Sequence, residues 1–201
     1  MNLAVFVSGR GSNLLSILQS RELAGLIEIK AVISNKIECG AFEIAKNYSV
    51  PIYSLGDKDG LISYKDLSTF LSQLNIDLIV LAGFLKLIPD NVVRNFKGKI
   101  INIHPALLPS FGGKGMYGMN VHKAVYNSSA KVSGASVHFV DEAYDTGTII
   151  AQECVDIRDV RSPEEIAERV LRIEHRILPS VIKMIAENKV RMVHNRIEVS
   201  E

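Results

Sequence analysis

Tryptophan is absent from this 201-residue chain, and aromatic residues make up only 6% of it. Two cysteines are present, Cys39 and Cys154. They form no CxxC pair, which argues against a disulfide framework and a cysteine-based zinc site. No apolar run reaches the roughly 18 residues of a membrane-spanning helix. Neither sign of charge is in excess: 23 Lys+Arg against 22 Asp+Glu leave a formal charge of +1. Such a balance gives no overall electrostatic footprint for nucleic acid. The N-terminal MNLAVFVSGRGSN lacks a basic leader and breaks its apolar run at Ser8-Gly9-Arg10, so it does not read as a signal peptide. The expectation is a cytoplasmic protein with no nucleic-acid partner and no membrane partner. Several catalytic signatures are also missing, namely HExxH, the GxSxG elbow and a GKS or GKT phosphate loop. What remains is 47% apolar and 22% charged residues, the composition of an ordinary globular protein. A chain of this length buries roughly 70% of its extended surface without staples. The economical expectation is a single domain over 1–201.

Short continuous apolar runs at Leu3–Val7, Ile29–Ile33, Val50–Tyr53, Asp77–Ala82 and Lys99–Ile103 read as buried strands of a parallel sheet. Between them, helical spacing follows Ser8–Asn13, covers about Ile37–Asn47, links Ile62 to Leu74, and recurs at Val92, Val93 and Phe96. This βαβ order with short connections predicts an α/β fold, an open, mostly parallel twisted sheet flanked by helices, Rossmann-like in kind. After residue 104 the pattern changes. Pro105–Asn120 reads as a loop, Val121–Tyr126 as a short helix, and Ser133–Asp141 with Thr148–Ile157 as two strands joined by a turn, suited to antiparallel edge positions. Ser162-Pro163-Glu164-Glu165 is a helix start, with Ser as cap, Pro at the first position and Glu three after the Ser. That helix runs to about Leu178, where Pro179 ends or kinks it, and Val181–Ile185 continue the helical pattern. Val190–Val193 reads as a last short strand.

The turn Ser8-Gly9-Arg10-Gly11-Ser12-Asn13 lies between a buried strand and a helix. Free N–H groups and the positive end of the helix dipole suit a phosphate there. A dinucleotide fingerprint needs a third glycine where Leu14 stands, and an acidic residue where the second strand ends Ile33-Ser34-Asn35. A nicotinamide site is therefore rejected. The plain alternative is a tight turn with no ligand.

Asn102 and His104 stand two apart at a strand's carboxyl end, so their side chains point the same way. Ligands of open α/β sheets bind at such ends. An amide donor and an imidazole on one spot suit oxyanion stabilisation and proton transfer. A carboxylate would control the charge of His104. Asp141, Glu142 and Asp145 are the candidates, and spacing does not choose among them. His138 lies opposite Val137 and Phe139 on its strand and reads as a structural histidine at least as readily as a ligand. His122 and His175 sit on helices, where a packing or solvated role is expected. Gly112–Gly118 reads as an active-site loop or lid.

The segments FVSGRGSNL (6–14), AVISNK (31–36), LAGFLKLI (81–88), NIHPALLPSF (102–111), ASVHFVDEAYDTG (135–147), IIAQ (149–152) and RIEHRILP (172–179) lie in order over nearly the whole chain. Together they resemble the phosphoribosylglycinamide formyltransferase (GAR transformylase) family of folate-dependent formyltransferases. N-x-H-P-x-L-L-P with a downstream D-x-G is the specific part of the signal. The resemblance implies transfer of the formyl group of 10-formyltetrahydrofolate to the amine of glycinamide ribonucleotide, a step of purine biosynthesis. It implies catalytic roles for Asn102, His104 and Asp145, and a phosphate seat at Gly11, Ser12 and Asn13. Glu174 would lie on the substrate-amine side. The folate would lie against Leu85, Lys86, Leu87 and Ile88, with Asn102, Val140 and Asp141. Family members often carry Met-Arg where this chain has Leu85-Lys86, and Lys lacks the planar fork of Arg. A basic folate contact that some members place before the helix at Ile62 has no match in Asp59-Gly60-Leu61.

In the chemistry so implied, Asn102 and a protonated His104 would hold the developing oxyanion, and Asp145 would raise the His104 pKa and help move a proton from the attacking amine to N10 of the folate. Neither a metal nor a covalent enzyme intermediate is expected, and a monomer or weak homodimer is. Three rival readings share part of this signal. Methionyl-tRNA formyltransferase resembles a longer protein with a tRNA-binding domain. 10-Formyltetrahydrofolate deformylase carries an extra N-terminal domain. A non-catalytic α/β ligand-binding protein would not need Asn102, His104 and Asp145 together.

Overall fold

A computed structural model describes residues 1–194 and 196–200. The chain divides into two compact units, Met1–Asn102 and Ile103–Glu201. In the first, β1 (Asn2–Val7), β2 (Glu28–Ser34), β3 (Ile52–Ser54), β4 (Leu78–Leu81) and the start of β5 (Ile100–His104) alternate with α1 (Ser12–Gln19), α2 (Gly40–Asn47), α3 (Leu67–Gln73) and α4 (Asp90–Asn95). The strands run in the order β3-β2-β1-β4-β5, and every neighbouring pair is parallel. Leu3 to Val7 and Leu78 to Leu81 are buried along their lengths, as the apolar runs predict. Each Leu, Ile, Val or Phe among them contributes about 1.5–3 kcal/mol of transfer energy. Because the order reverses at β1, the loops after β1 and β4 leave the sheet side by side. That crevice is where open α/β sheets take their ligands.

The second unit holds α5 (Met119–Asn127), β6 (Val132–Phe139), β7 (Ile149–Asp156), the long α6 (Pro163–Ala186), β8 (Val190–Val193) and β9 (Arg196–Val199). β6 and β7 are antiparallel, as are β8 and β9. Ser162 caps α6 by accepting the Glu165 N–H at 3.3 Å, as the Ser-Pro-Glu-Glu sequence predicts.

Four boundaries differ from the sequence reading. α2 begins at Gly40, not near Ile37, because the Gly9 carbonyl accepts the Ala41 N–H (3.1 Å) and the Cys39 thiol (3.2 Å). Ile62 lies outside α3 and bridges to Leu55, its N–H donated to the Ser54 carbonyl at 2.9 Å. Of the two readings of Pro179, the structure removes the helix end: Pro179 is buried inside α6, and the helical pattern of Val181–Ile185 continues it to Ala186. β9 follows β8 where only one strand is expected.

Candidate active site

In the first unit, Gly11 immediately precedes α1 with φ +84°. A Cβ there would stand 2.6 Å from the Ala41 Cβ, so the position takes glycine for its conformation and for the close approach. Ser12 opens the helix, and Asn13 is buried behind it. The next loop is bound to this one through Ser8, which is 1% exposed. The Ser8 N–H donates to Gly83 O at 3.1 Å, and Ser8 Oγ accepts the Leu85 N–H at 3.0 Å and donates to Asn35 Oδ1 at 2.6 Å. Leu85 and Leu87 are each 43% exposed, Lys86 is exposed, and Ile88 is buried. Two large apolar side chains thus face outward at the carboxyl end of the sheet, a surface suited to a flat ring.

Asn102 is half-buried on β5, and His104, two residues on, is 3% exposed. Within the second unit, His104 Nδ1 lies 3.6 Å from Asp145 Oδ1, an ion-pair distance longer than a hydrogen bond. Its Nε2–H donates to the Phe111 carbonyl at 2.9 Å. The same Asp145 oxygen lies 3.5 Å from His138 Nε2, and His138 Nδ1–H donates to the Phe139 carbonyl at 2.7 Å. Each imidazole therefore has one nitrogen on a backbone carbonyl and the other facing one shared carboxylate. The second carboxylate oxygen of Asp145 accepts the Gly113 N–H at 2.8 Å.

This geometry chooses among the three carboxylates. Asp141 Oδ1 accepts from Thr146 Oγ1 (2.6 Å) and the Ala143 N–H (3.2 Å), closing its own turn. Glu142 is exposed. Asp145 is the one that stands against both His104 and His138. Gly147 completes the turn, since a Cβ there would collide with the Phe139 carbonyl; that collision is the physical content of D-x-G here. Val140 is half-buried beside the turn, and Glu174 is buried on α6.

Burial lowers the His104 pKa, while the Asp145 charge and the Phe111 hydrogen bond raise it and His138 opposes them; the net result lies below the ordinary value. Asp145 thus acts in the direction expected, but desolvation outweighs it in the ligand-free protein. For Asp145 itself, burial pushes upward, yet His138, the His104 charge and the Gly113 N–H together hold the carboxyl below its ordinary range. His122, buried on α5, is pushed down to about 4 by burial and by its neighbour His104. Sequence alone leaves His138 undecided between a structural and a ligand role and suits His122 to a packing or solvated one. Strand alternation places His138 on the face opposite Val137, but nothing local shows what it meets there. Among the described residues no group of three or more His, Cys, Asp or Glu is arranged to hold a metal ion.

The family model of the formyl transferases, described as "Formyl transferase", matches residues 1–182. The chain belongs to the formyl transferase family. The matched span holds both loops and the His104–Asp145 cluster. The chain is 44% identical over 192 residues to the chloroplastic phosphoribosylglycinamide formyltransferase of Vigna unguiculata, covering 94% of this chain and 62% of that one. It is 43% identical over 195 residues to the corresponding protein of Arabidopsis thaliana, covering 94% and 66%. The chain thus spans somewhat under two thirds of the length of these two plant relatives. Among solved structures, phosphoribosylglycinamide formyltransferase from Anaplasma phagocytophilum superposes with a TM-score of 0.90 at 33% identity, covering 100% of this chain and 95% of that one. That likeness gives the formyl transferase its fold class, a mostly parallel sheet flanked by helices.

Proposed function

We propose that this formyl transferase moves the formyl group of 10-formyltetrahydrofolate to the amine of glycinamide ribonucleotide, giving the N-formyl ribonucleotide and tetrahydrofolate, and that 1–201 works as one catalytic domain. The observation that carries the proposal is the buried His104, two residues from Asn102 on β5 and facing Asp145. Gly11, Ser12 and Asn13 offer N–H groups at the start of α1 to the ribonucleotide phosphate. Exposed Leu85 and Leu87, with Lys86 and Ile88, offer an apolar shelf to the folate ring, and Asn102, Val140 and Asp141 are assigned to folate binding as well. Buried Glu174 serves the amine end.

As the amine attacks the formyl carbon, a nitrogen–carbon bond forms and negative charge grows on the formyl oxygen. Asn102 donates one hydrogen bond to that oxygen and His104 another. The growing charge favours the imidazolium, so the amine proton is relayed through the Asp145 carboxylate onto Nδ1 of His104, whose pKa burial holds down in the free protein. Asp145 balances the imidazolium. The bond from carbon to folate N10 then breaks, and His104 returns the proton to N10. An amine is nucleophile enough that no serine or cysteine is needed.

The test mixes purified protein with 10-formyltetrahydrofolate and follows folate product by absorbance, with and without the ribonucleotide. Product only in its presence is the expected result. Asn102→Ala and His104→Ala each lose about a hundredfold or more in kcat while keeping the wild-type far-UV spectrum. Equal turnover without ribonucleotide, or wild-type turnover in either variant, overturns the proposal.

A further inference from the structure

The Phe111 carbonyl that meets His104 comes from backbone in an unusual state. Phe111 has φ +56°, the left-handed region, which bulky side chains seldom occupy. Asp145 lies at φ +55° and Gly113 at φ +94°. Both partners of the His104 ring therefore stand on left-handed backbone, and the Gly113 N–H ties the Phe111 segment to Asp145 at 2.8 Å. Backbone of this kind persists where surrounding contacts over-determine it, and it clusters at functional sites. A neutral imidazole has one N–H and serves one of the two acceptors; an imidazolium serves both. The other titratable groups facing His104 are His138 from β6 and His122 from α5.

We propose that Phe111 is a positioning residue whose left-handed backbone, not its ring, aims a carbonyl at His104 Nε2 and so fixes the ring orientation and the place of its N–H. When substrate enters, the same N–H is handed from the Phe111 carbonyl to the formyl oxygen. This last step rests on the formyl-transfer reading; the positioning is a property of the free protein and is tested there.

Five substitutions separate backbone from ring, because all five remove the ring. Phe111→Gly and Phe111→Asn tolerate a positive φ, Phe111→Ala bears about the penalty that Phe itself bears, and the β-branched Phe111→Val and Phe111→Thr are penalised most. The His104 C2–H is titrated by NMR in the ligand-free protein, its signal assigned with His104→Gln, and far-UV circular dichroism checks folding. The His104 pKa is expected to stay within about 0.2 unit of wild type in the Gly, Asn and Ala variants and to fall by about half a unit or more in the Val and Thr variants. The kcat at pH 7 falls in parallel, by about fivefold or more in the β-branched pair, with the ribonucleotide KM little changed. A Val variant that does not fold leaves the Thr variant to decide. Equal impairment of all folded variants, which a packing role of the ring produces, overturns the proposal, as does no shift in any of them. If the wild type shows no formyl transfer, the titration still decides the positioning.

Discussion

Ser136→Ala removes a single oxygen that holds three groups. Ser136 is fully buried on β6. Its Oγ accepts the Leu108 N–H at 3.0 Å and the Gln152 side-chain N–H at 2.9 Å, and donates to the Ala106 carbonyl at 2.6 Å. Gln152 also donates to Leu108 O at 2.8 Å. The four bonds fasten the segment that follows His104 onto β6 and β7. In the alanine variant Gln152 keeps its bond to Leu108 O, but the Leu108 N–H and the Ala106 carbonyl lose their partner. An orphaned buried group costs about 1–3 kcal/mol, so the pair costs about 2–4 kcal/mol after partial relaxation. For a chain of this length that lowers Tm by about 4–16 °C. The assay is urea unfolding followed by far-UV circular dichroism, since the chain has no tryptophan to report by fluorescence. A double-mutant cycle with Gln152→Leu should show a coupling of about 0.5 kcal/mol or more. A loss under about 0.5 kcal/mol in Ser136→Ala, with wild-type turnover, would refute this account of how the segment is held.

Two more outcomes follow from the site. His122 is neutral in the folded chain down to about pH 4, against an ordinary 6.5, whereas the unfolded chain takes up this proton from 6.5 downward. Stability is therefore unaffected above pH 6.5 and is lost as pH falls toward 4, by about 2 kcal/mol between pH 7.5 and 5 at about 1.4 kcal/mol per unit. His122→Leu flattens that slope by one proton, and identical urea midpoint shifts in the two proteins would sink the assignment. Gly11→Ala combines a left-handed conformation costing about 1–2 kcal/mol with an overpacked contact on Ala41 costing about 1–3 kcal/mol. It lowers stability and raises the ribonucleotide KM, leaving the folate KM near wild type; a rise confined to the folate KM contradicts the phosphate seat.

β1, β4 and β5 were legible because each is a short apolar run buried along nearly its whole length, and the helix of Ser162–Glu165 because its cap is local. The starts of α2 and α3 were not, since the carbonyls of Gly9 and Ser54 that set them come from elsewhere in the chain. β9 escaped because Arg196–Val199 exposes three of its four residues, leaving almost no apolar signal. In the site, Asn102 and His104 stood out by their place at a strand end. Asp145 could not be told from Asp141 and Glu142 by spacing, because the distinction lies in how Thr146 and Ala143 engage Asp141. The Phe111 carbonyl had no sequence signal at all, being a backbone group that any residue carries.

Residue 145 answers to two unrelated demands. Its left-handed backbone is comfortable for Gly, Asn and Asp, and poor for Glu. Its two histidine neighbours call for a negative charge. Asp is the one residue type that meets both. A change to Asn or Gly keeps the turn and discards the charge, so the shape of this chain can outlive the electrostatics of its histidine pair through a single substitution. Under the proposed mechanism, residue 145 is therefore a better guide to the chemistry of such a chain than the sheet that carries it.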